Sequence, residues 1–270
     1  MTQEIAHLGL VDDELIAPEI AALEIAALDH PDVDLSLYLE QLAQMAEALQ
    51  RTGDGAESPA ERALALAEVI GADYGFDGDR KAYDARDNAD FIRVLDRRLG
   101  LPVSLSILYV GLARRIGWSA DALNTPGHVL IRVGDDEVAV LVDPFNGGTL
   151  VGADRLATLL SQALGADVQP GPEHLSPMSN RAMLVRLLLN EASRAEAAGD
   201  HERALTLHER MTIIAPGNSQ AWWERARLEL QLGDLAAARA SLSAMLEMTR
   251  EPQMRAHISA ALDALAKPTR

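Results

Sequence analysis

The order of apolar and polar residues divides the chain into three stretches of different character. In the first, Leu37, Leu39, Leu42, Met45, Ala46 and Leu49 return near helical spacing after Asp34-Leu35-Ser36, which predicts a helix that Gly53 and Gly55 end. Ser58-Pro59, followed by Glu61, has the form of a second helix start, with Leu64, Leu66, Val69 and Ile70 as its apolar positions. Residues 71–84 are rich in Gly and Asp and are expected as a loop, although Tyr74, Phe76 and Tyr83 lie within it. A third helix is expected over 88–98, burying Phe91, Val94 and Leu95.

The middle stretch changes period. After Gly100-Leu101-Pro102 a strongly apolar run over 104–116 predicts a central helix, stopped by Gly117. Pro102 suits its start, where the missing N–H costs nothing. Two β-like runs follow, 128–133 and 138–142, with Gly134-Asp135-Asp136 between them as a hairpin turn. Asp143-Pro144 closes the second strand, and Asn146-Gly147-Gly148 supplies another turn. A short helix over 154–164 precedes a Pro/Gly-rich linker, Gln169-Pro170-Gly171-Pro172.

The last stretch repeats itself. Ala198-Gly199-Asp200 and Leu232-Gly233-Asp234 have the same Gly-Asp pair 34 residues apart, and Ala204 and Ala238 keep the same offset. Each Gly-Asp lies between two amphipathic helices, Pro216 follows the second helix of the first pair, and a final helix is expected over 253–266. Period and placement of small residues resemble tetratricopeptide (TPR) repeats. Two such pairs cannot bury their apolar faces alone, so they are expected to dock onto the middle domain.

Composition narrows the function. The chain has 270 residues, 24 Lys+Arg against 41 Asp+Glu, and a net charge of −17. The first 90 residues hold 21 acidic and 5 basic side chains, so nearly all the net charge sits there, as a solvated helical surface. A chain this acidic is not expected to bind nucleic acid, which requires phosphate neutralisation by Lys and Arg. There is no cysteine, which removes disulfides, thiolate metal sites and thiol nucleophiles together. No apolar run approaches a membrane span and the first residues do not read as a signal peptide, so a cytoplasmic protein is expected. The seven histidines are dispersed, and no Gly-rich phosphate loop ends in Lys-Ser/Thr, so neither a metal nor a cofactor is expected. Arg97-Arg98 and Arg114-Arg115 flank core helices and are expected to form ion pairs. Trp222 and Trp223 are adjacent on a repeat helix, so at most one is expected to face the core.

Three features can carry chemistry: the helix start near Ser104, His128 opening one strand, and Asp143 ending the next. Both strand ends lie away from the hairpin turn, so the histidine and aspartate can approach, as a carboxylate orienting an imidazole requires. A helix N-terminus facing them offers backbone donors for an oxyanion. Each residue also has a structural role open to it: Ser104 as a helix-start residue, Asp143 in a turn, His128 as a satisfied core histidine.

Residues 88–148 resemble the transglutaminase-like core of a bacterial family with C-terminal TPR repeats, named after an invasion-gene regulator; the same core occurs in some F-box proteins. The words that carry the likeness are Asn88, Val94-Leu95-Asp96-Arg97-Arg98, Gly100-Leu101-Pro102-Val103-Ser104-Leu105, Pro126-Gly127-His128 and Asp143-Pro144-Phe145-Asn146-Gly147-Gly148. The resemblance implies a papain-like α+β core in which a helix start, a histidine and an aspartate converge. It also places the cysteine of the true enzymes at Pro102, and makes Ser104 the nearest replacement nucleophile, with Ser106 behind it.

The expected architecture is α+β: an acidic helical N-terminal lobe over 1–87, a transglutaminase-like core over 88–168, a linker over 169–180 and TPR-like repeats over 181–270. The expected function is that of a divergent transglutaminase-like protein without its thiol, a non-catalytic regulatory module. It would bind a protein or peptide partner through the core cleft or the repeat surface. The alternative is a serine-type acyl hydrolase using Ser104, His128 and Asp143.

Overall fold

A computed structural model describes residues 4–135, 137–165 and 171–266. Asp136 of the expected hairpin turn and Gln169-Pro170 of the expected linker lie outside the described residues. The chain forms two compact units: one spans 13–183, the other combines residues 1–12 with 184–270.

The first unit is organised around one helix. Pro102 opens α5 (Pro102–Arg115), and every residue from Pro102 to Ala113 is buried. Burying a Leu or Ile side chain stabilises by roughly 1.5–3 kcal/mol, so Leu105, Ile107, Leu108 and Leu112 make this helix the centre of the core. Against it lie α1 (Pro18–Ala27) and α2 (Leu35–Thr52), and α4 (Phe91–Arg97) packs in turn on α1. Residues 13–87 of the expected N-terminal lobe lie in the same compact unit as α5, and α1 and α2 cover its apolar surface.

Local chemistry sets the helix ends. Asp34 caps α2 by accepting from the Ser36 N–H at 2.9 Å. Leu42, Met45, Ala46 and Leu49 form the buried stripe of α2, while Leu37 and Leu39 face solvent. α3 (Pro59–Leu66) starts in a full capping box, the Glu61 carboxylate accepting from the Ser58 N–H while the Ser58 hydroxyl accepts from the Glu61 N–H. It runs on as a π-helical turn, Ala67–Asp73, which carries Val69 and Ile70 as expected and extends into the first three residues of the expected loop. α1 does not show as an amphipathic stripe because apolar residues lie on all its sides; of its two carboxylates, Glu19 and Glu24, Glu19 is buried against Gly111. Burial raises the Glu19 carboxyl above its ordinary value, against its own backbone hydrogen bond and the charges of Arg115 and Arg114.

Two small sheets complete this unit. β1 (Asp77–Gly78) pairs in parallel with β2 (Leu99–Gly100), just before α5. β3 (Ala120–Ala122), β4 (Ile131–Gly134), β5 (Ala139–Asp143) and β6 (Thr149–Leu150) form an antiparallel sheet in sequence order. The expected strand over 128–133 thus begins three residues later, because Pro126-Gly127, with φ 67° at the glycine, turns the chain first. α6 (Ala153–Leu164) follows, and the unit closes where Asp13 caps α7 (Asn180–Ala197), accepting from the Asn180 and Arg181 N–H groups at 2.7 and 3.0 Å.

In the second unit, α8 (His201–Ile214), α9 (Ser219–Gln231), α10 (Leu235–Met248) and α11 (Pro252–Ala266) follow α7. Gly199 and Gly233 end α7 and α9 with φ of 78° and 86°, and the aspartate after each caps the next helix. In both turns the aspartate N–H bonds five residues back, to Ala195 and Glu229, the pattern of a left-handed helix stop. Ala204 and Ala238 are both fully buried, as equivalent repeat positions should be. Trp222 and Trp223 both flank the cluster of Ala226, Leu242, Met245 and Ile258, because large rings reach it from either side of the stripe. Trp222 donates to the Pro216 carbonyl, while Trp223 stacks on His257. Residues 6–9 form a 3-10 turn with Leu8 buried and Gly9 against the Ile213 backbone, so this short strap belongs to the repeats.

Candidate functional site

The site grows from the end of β5. Asp143 closes the strand and Pro144 forbids its continuation, so the chain enters a 3-10 turn, Pro144–Asn146. Gly147 and Gly148 then take positive φ, 62° and 79°, which brings the Gly148 N–H back to the Asp143 carbonyl at 3.0 Å. Across the sheet end, the turn at Pro126-Gly127 holds His128 outside the strand ladder. The two side chains nevertheless meet, His128 Nε2 lying 2.8 Å from Asp143 Oδ1.

Asp143 has no solvent exposure, and its second oxygen accepts from Asn146 Nδ2 at 2.5 Å and from Arg155 Nη2 at 3.2 Å. Burial pushes its carboxyl up, but the His128 hydrogen bond and charge, with the bonds from Asn146 and Arg155, outweigh this and hold it below the usual value. The imidazole packs edge-on to Phe145, ring centroids 5.9 Å apart, and Phe145 meets Tyr83 in the same way at 5.8 Å. Gly78 lets β1 approach this platform, since a Cβ there would lie 2.5 Å from the Phe145 ring.

Ser104 does not join this pair. Its hydroxyl is fully buried, accepts from the Leu101 N–H at 2.8 Å and donates toward the Asn88 carbonyl at 2.9 Å and the Leu101 carbonyl at 3.1 Å. A triad of Ser104, His128 and Asp143 is therefore replaced by a dyad and a capping serine. Ser106, also buried, faces the Val129 carbonyl at 3.5 Å, so α5 does pass beside the His128 segment; the group at its start is simply Pro102.

The remaining motif words are structural. Asn88 is buried and donates to the Ala82 and Tyr83 carbonyls while accepting from Arg97. Arg97 also bonds Asp79 at 2.8 Å, and Asp79 accepts from the Lys81 and Ala82 N–H groups. Together they clamp the loop carrying Tyr83. Gly100 is required because a Cβ would stand 2.6 Å from the Ser104 hydroxyl. Three of the four paired arginines make the expected contacts: Arg97 bonds Asp79, Arg114 bonds Asp121, and Arg115 lies 3.6 Å from Glu19, whereas Arg98 ends α4 at a positive φ of 59°.

Beside the dyad lies a pocket of about 470 Å³ whose wall includes Gly71, Asp77, Arg80, Asn146, Gly147 and Arg155. Arg80 is fixed there by Asp77, the Phe145 carbonyl and Asn146 Oδ1, and stacks over the Phe145 ring at 5.2 Å. Arg80 and Arg155 escaped the sequence reading because neither belongs to a motif. The one hint was an arginine in the first turn of α6, where the helix dipole favours acids. Among the described residues no group of three metal-ligating side chains converges, and no helix is long and apolar enough to cross a membrane.

The chain is similar in sequence to known proteins. The transglutaminase-like superfamily matches residues 36–189, and the tetratricopeptide repeat matches residues 192–263. A UPF0162 protein of Xylella fastidiosa (strain 9a5c) is 30% identical over 244 residues, 89% of this chain and 87% of its own length. Protein SirB1 of Salmonella typhimurium is 25% identical over 248 residues, covering 92% of this chain and 91% of its own. F-box only protein 21 of Mus musculus is 40% identical over 57 residues, 21% of this chain and 9% of that protein. With the central helix, the His128–Asp143 dyad and the repeat turns in place, the chain belongs to the transglutaminase-like superfamily, its core joined to C-terminal tetratricopeptide repeats.

Proposed function

We propose that this protein is a non-catalytic member of its superfamily that acts by binding a protein or peptide. One observation carries the reading: the helix start that should present a nucleophile to His128 offers Pro102, and the nearest hydroxyl, Ser104, is consumed in buried backbone bonds. A serine nucleophile needs its hydroxyl on the general base, and the chain has no cysteine to take its place. The dyad then serves recognition: the buried Asp143 holds the His128 imidazole and also binds Asn146 and Arg155, which line the pocket. The repeats support the same reading, because their fold is suited to protein contacts.

The test is covalent labelling beside binding. A serine-directed fluorophosphonate should leave the mass of the protein unchanged, and aryl esters should hydrolyse no faster with the wild type than with His128→Ala. On an array of immobilised peptides, the wild type should retain a set of spots that His128→Ala or a variant of the repeats loses. Labelling at Ser104 that disappears in His128→Ala would overturn the proposal.

A further inference from the structure

The pocket beside the dyad has a sign opposite to that of the chain around it. Two guanidinium groups, Arg80 and Arg155, stand in its wall against one carboxylate, Asp77, in a protein whose net charge is −17. The second nearby carboxylate, Asp143, is fully buried behind the wall and tied to His128, Asn146 and Arg155. Asp77 is already committed to Arg80, at 2.7 and 3.3 Å.

The two arginines are held differently. Arg80 makes contacts to Asp77, the Gly78 and Phe145 carbonyls and Asn146, so its position is fixed before any ligand arrives. Arg155 makes a single hydrogen bond, Nη2 to Asp143 Oδ2 at 3.2 Å, and its side chain is half exposed. Among the described residues its remaining N–H donors have no partner. One corner of the guanidinium is pinned to a buried carboxylate, and the rest of the planar fork is unspent. That fork is the geometry that takes a carboxylate through two parallel bonds. Pinning reduces the side-chain freedom that binding would otherwise remove. The backbone is shaped to match: Gly71 comes so close to Gly147 that a Cβ would stand 2.6 Å from its carbonyl oxygen, and Gly147 itself has positive φ.

We infer that this pocket is a carboxylate subsite, in which Arg155 grips and Arg80 orients a carboxylate carried by a peptide, either an acidic side chain or a chain terminus. The inference rests on the peptide-binding reading above and names what that site selects. A volume of about 470 Å³ lies within the range of pockets for organic ligands, about 300–1,000 Å³, which leaves room for the residue that bears the charge. Because Arg155 also touches Asp143, a bound carboxylate draws on the same guanidinium that helps hold the dyad, so occupancy is felt at His128.

Nuclear magnetic resonance titration of the full chain tests this with four probes: N-acetyl-glycyl-glycine, its C-terminal amide, N-acetyl-glutamyl-glycinamide and inorganic phosphate. One or both carboxylate peptides should shift the Arg155 Nε–H and His128 ring resonances, and which of them does so distinguishes terminus from side chain. The amide should leave both resonances in place. Arg155→Gln should raise the dissociation constant about tenfold or more, with Arg155→Lys falling between. Equal binding of the amide, binding of phosphate in place of the peptides, or no shift at Arg155 overturns the subsite. A peptide-array signal that survives in Arg155→Gln would remove the subsite while leaving the binding reading intact; fluorophosphonate labelling at Ser104 would remove the latter.

Discussion

At Ser104, one hydroxyl accepts a backbone N–H and donates to backbone carbonyls, all away from solvent. Ser104→Ala removes the nearer acceptor of the buried Leu101 N–H, leaving it only the Asn88 carbonyl at 3.4 Å, and should cost about 1–3 kcal/mol, measured as a lower urea midpoint at unchanged slope. Asp143 makes a different prediction, one of pH. Its carboxyl lies below the ordinary value in the folded state, so it stabilises that state above the unfolded-state value, about pH 4. That stabilisation drains away as pH falls through the folded-state value. Asp143→Asn should therefore be less stable than wild type at neutral pH, and the difference should shrink in acid. A gap that stays constant from neutral pH into acid would show that the ionised carboxylate contributes nothing. Sequence alone showed Ser104 at a helix start and His128 near Asp143, because residue type and chain position settle that much. Sequence left open whether Ser104 capped or attacked, since both roles use the same residue in the same first turn. Arg155 shows in sequence only as an arginine at a helix start, because its partner, Asp143, is set by a turn and not by any spacing.

Elements were legible where local chemistry agrees with the fold. The capping box at Ser58 and Glu61 and the Gly-Asp turns of the repeats each satisfy backbone groups within a few residues, so their pattern survives in one dimension. α1 and the short strands β3 and β6 did not show, because their identity depends on what they pack against. Two glycine substitutions separate these kinds of constraint. Gly199→Ala meets nothing within 4 Å but holds φ at 78°, so only backbone strain of about 1–2 kcal/mol is expected. Gly78→Ala has ordinary φ yet drives a methyl into the Phe145 ring and carbonyl. It should shift the His128 and Phe145 resonances strongly, whereas Gly199→Ala should lower the melting temperature and leave them unmoved.

Over the whole molecule, charge and connectivity are distributed unevenly. Acidic side chains dominate the first third, whereas the repeats balance theirs: Arg203 pairs with Glu191, Arg225 with Glu229, and Arg227 with both Glu196 and Glu224. The strap over 6–9 joins these repeats, whereas the sequence places it in an N-terminal lobe over 1–87. Leu8→Asp should therefore loosen α8, with faster amide hydrogen exchange over 201–214 and little change within α5. Faster exchange confined to α5 would contradict that assignment.

The strap also decides how the molecule bears mechanical load. Residues 1–12 and 184–270 belong to one compact unit, and Ile5 and Ile258 both lie in it, so in sequence the 13–183 unit is an insertion between its two parts. Tension applied between these two points is taken first by the strap against α8. Only after it peels away does the force reach Asp13 and its bonds to Asn180 and Arg181, which lace the entry and exit of the 13–183 unit together. The expected order of rupture, the repeats before the 13–183 unit, is checked as the sequence of steps in a single-molecule force–extension trace.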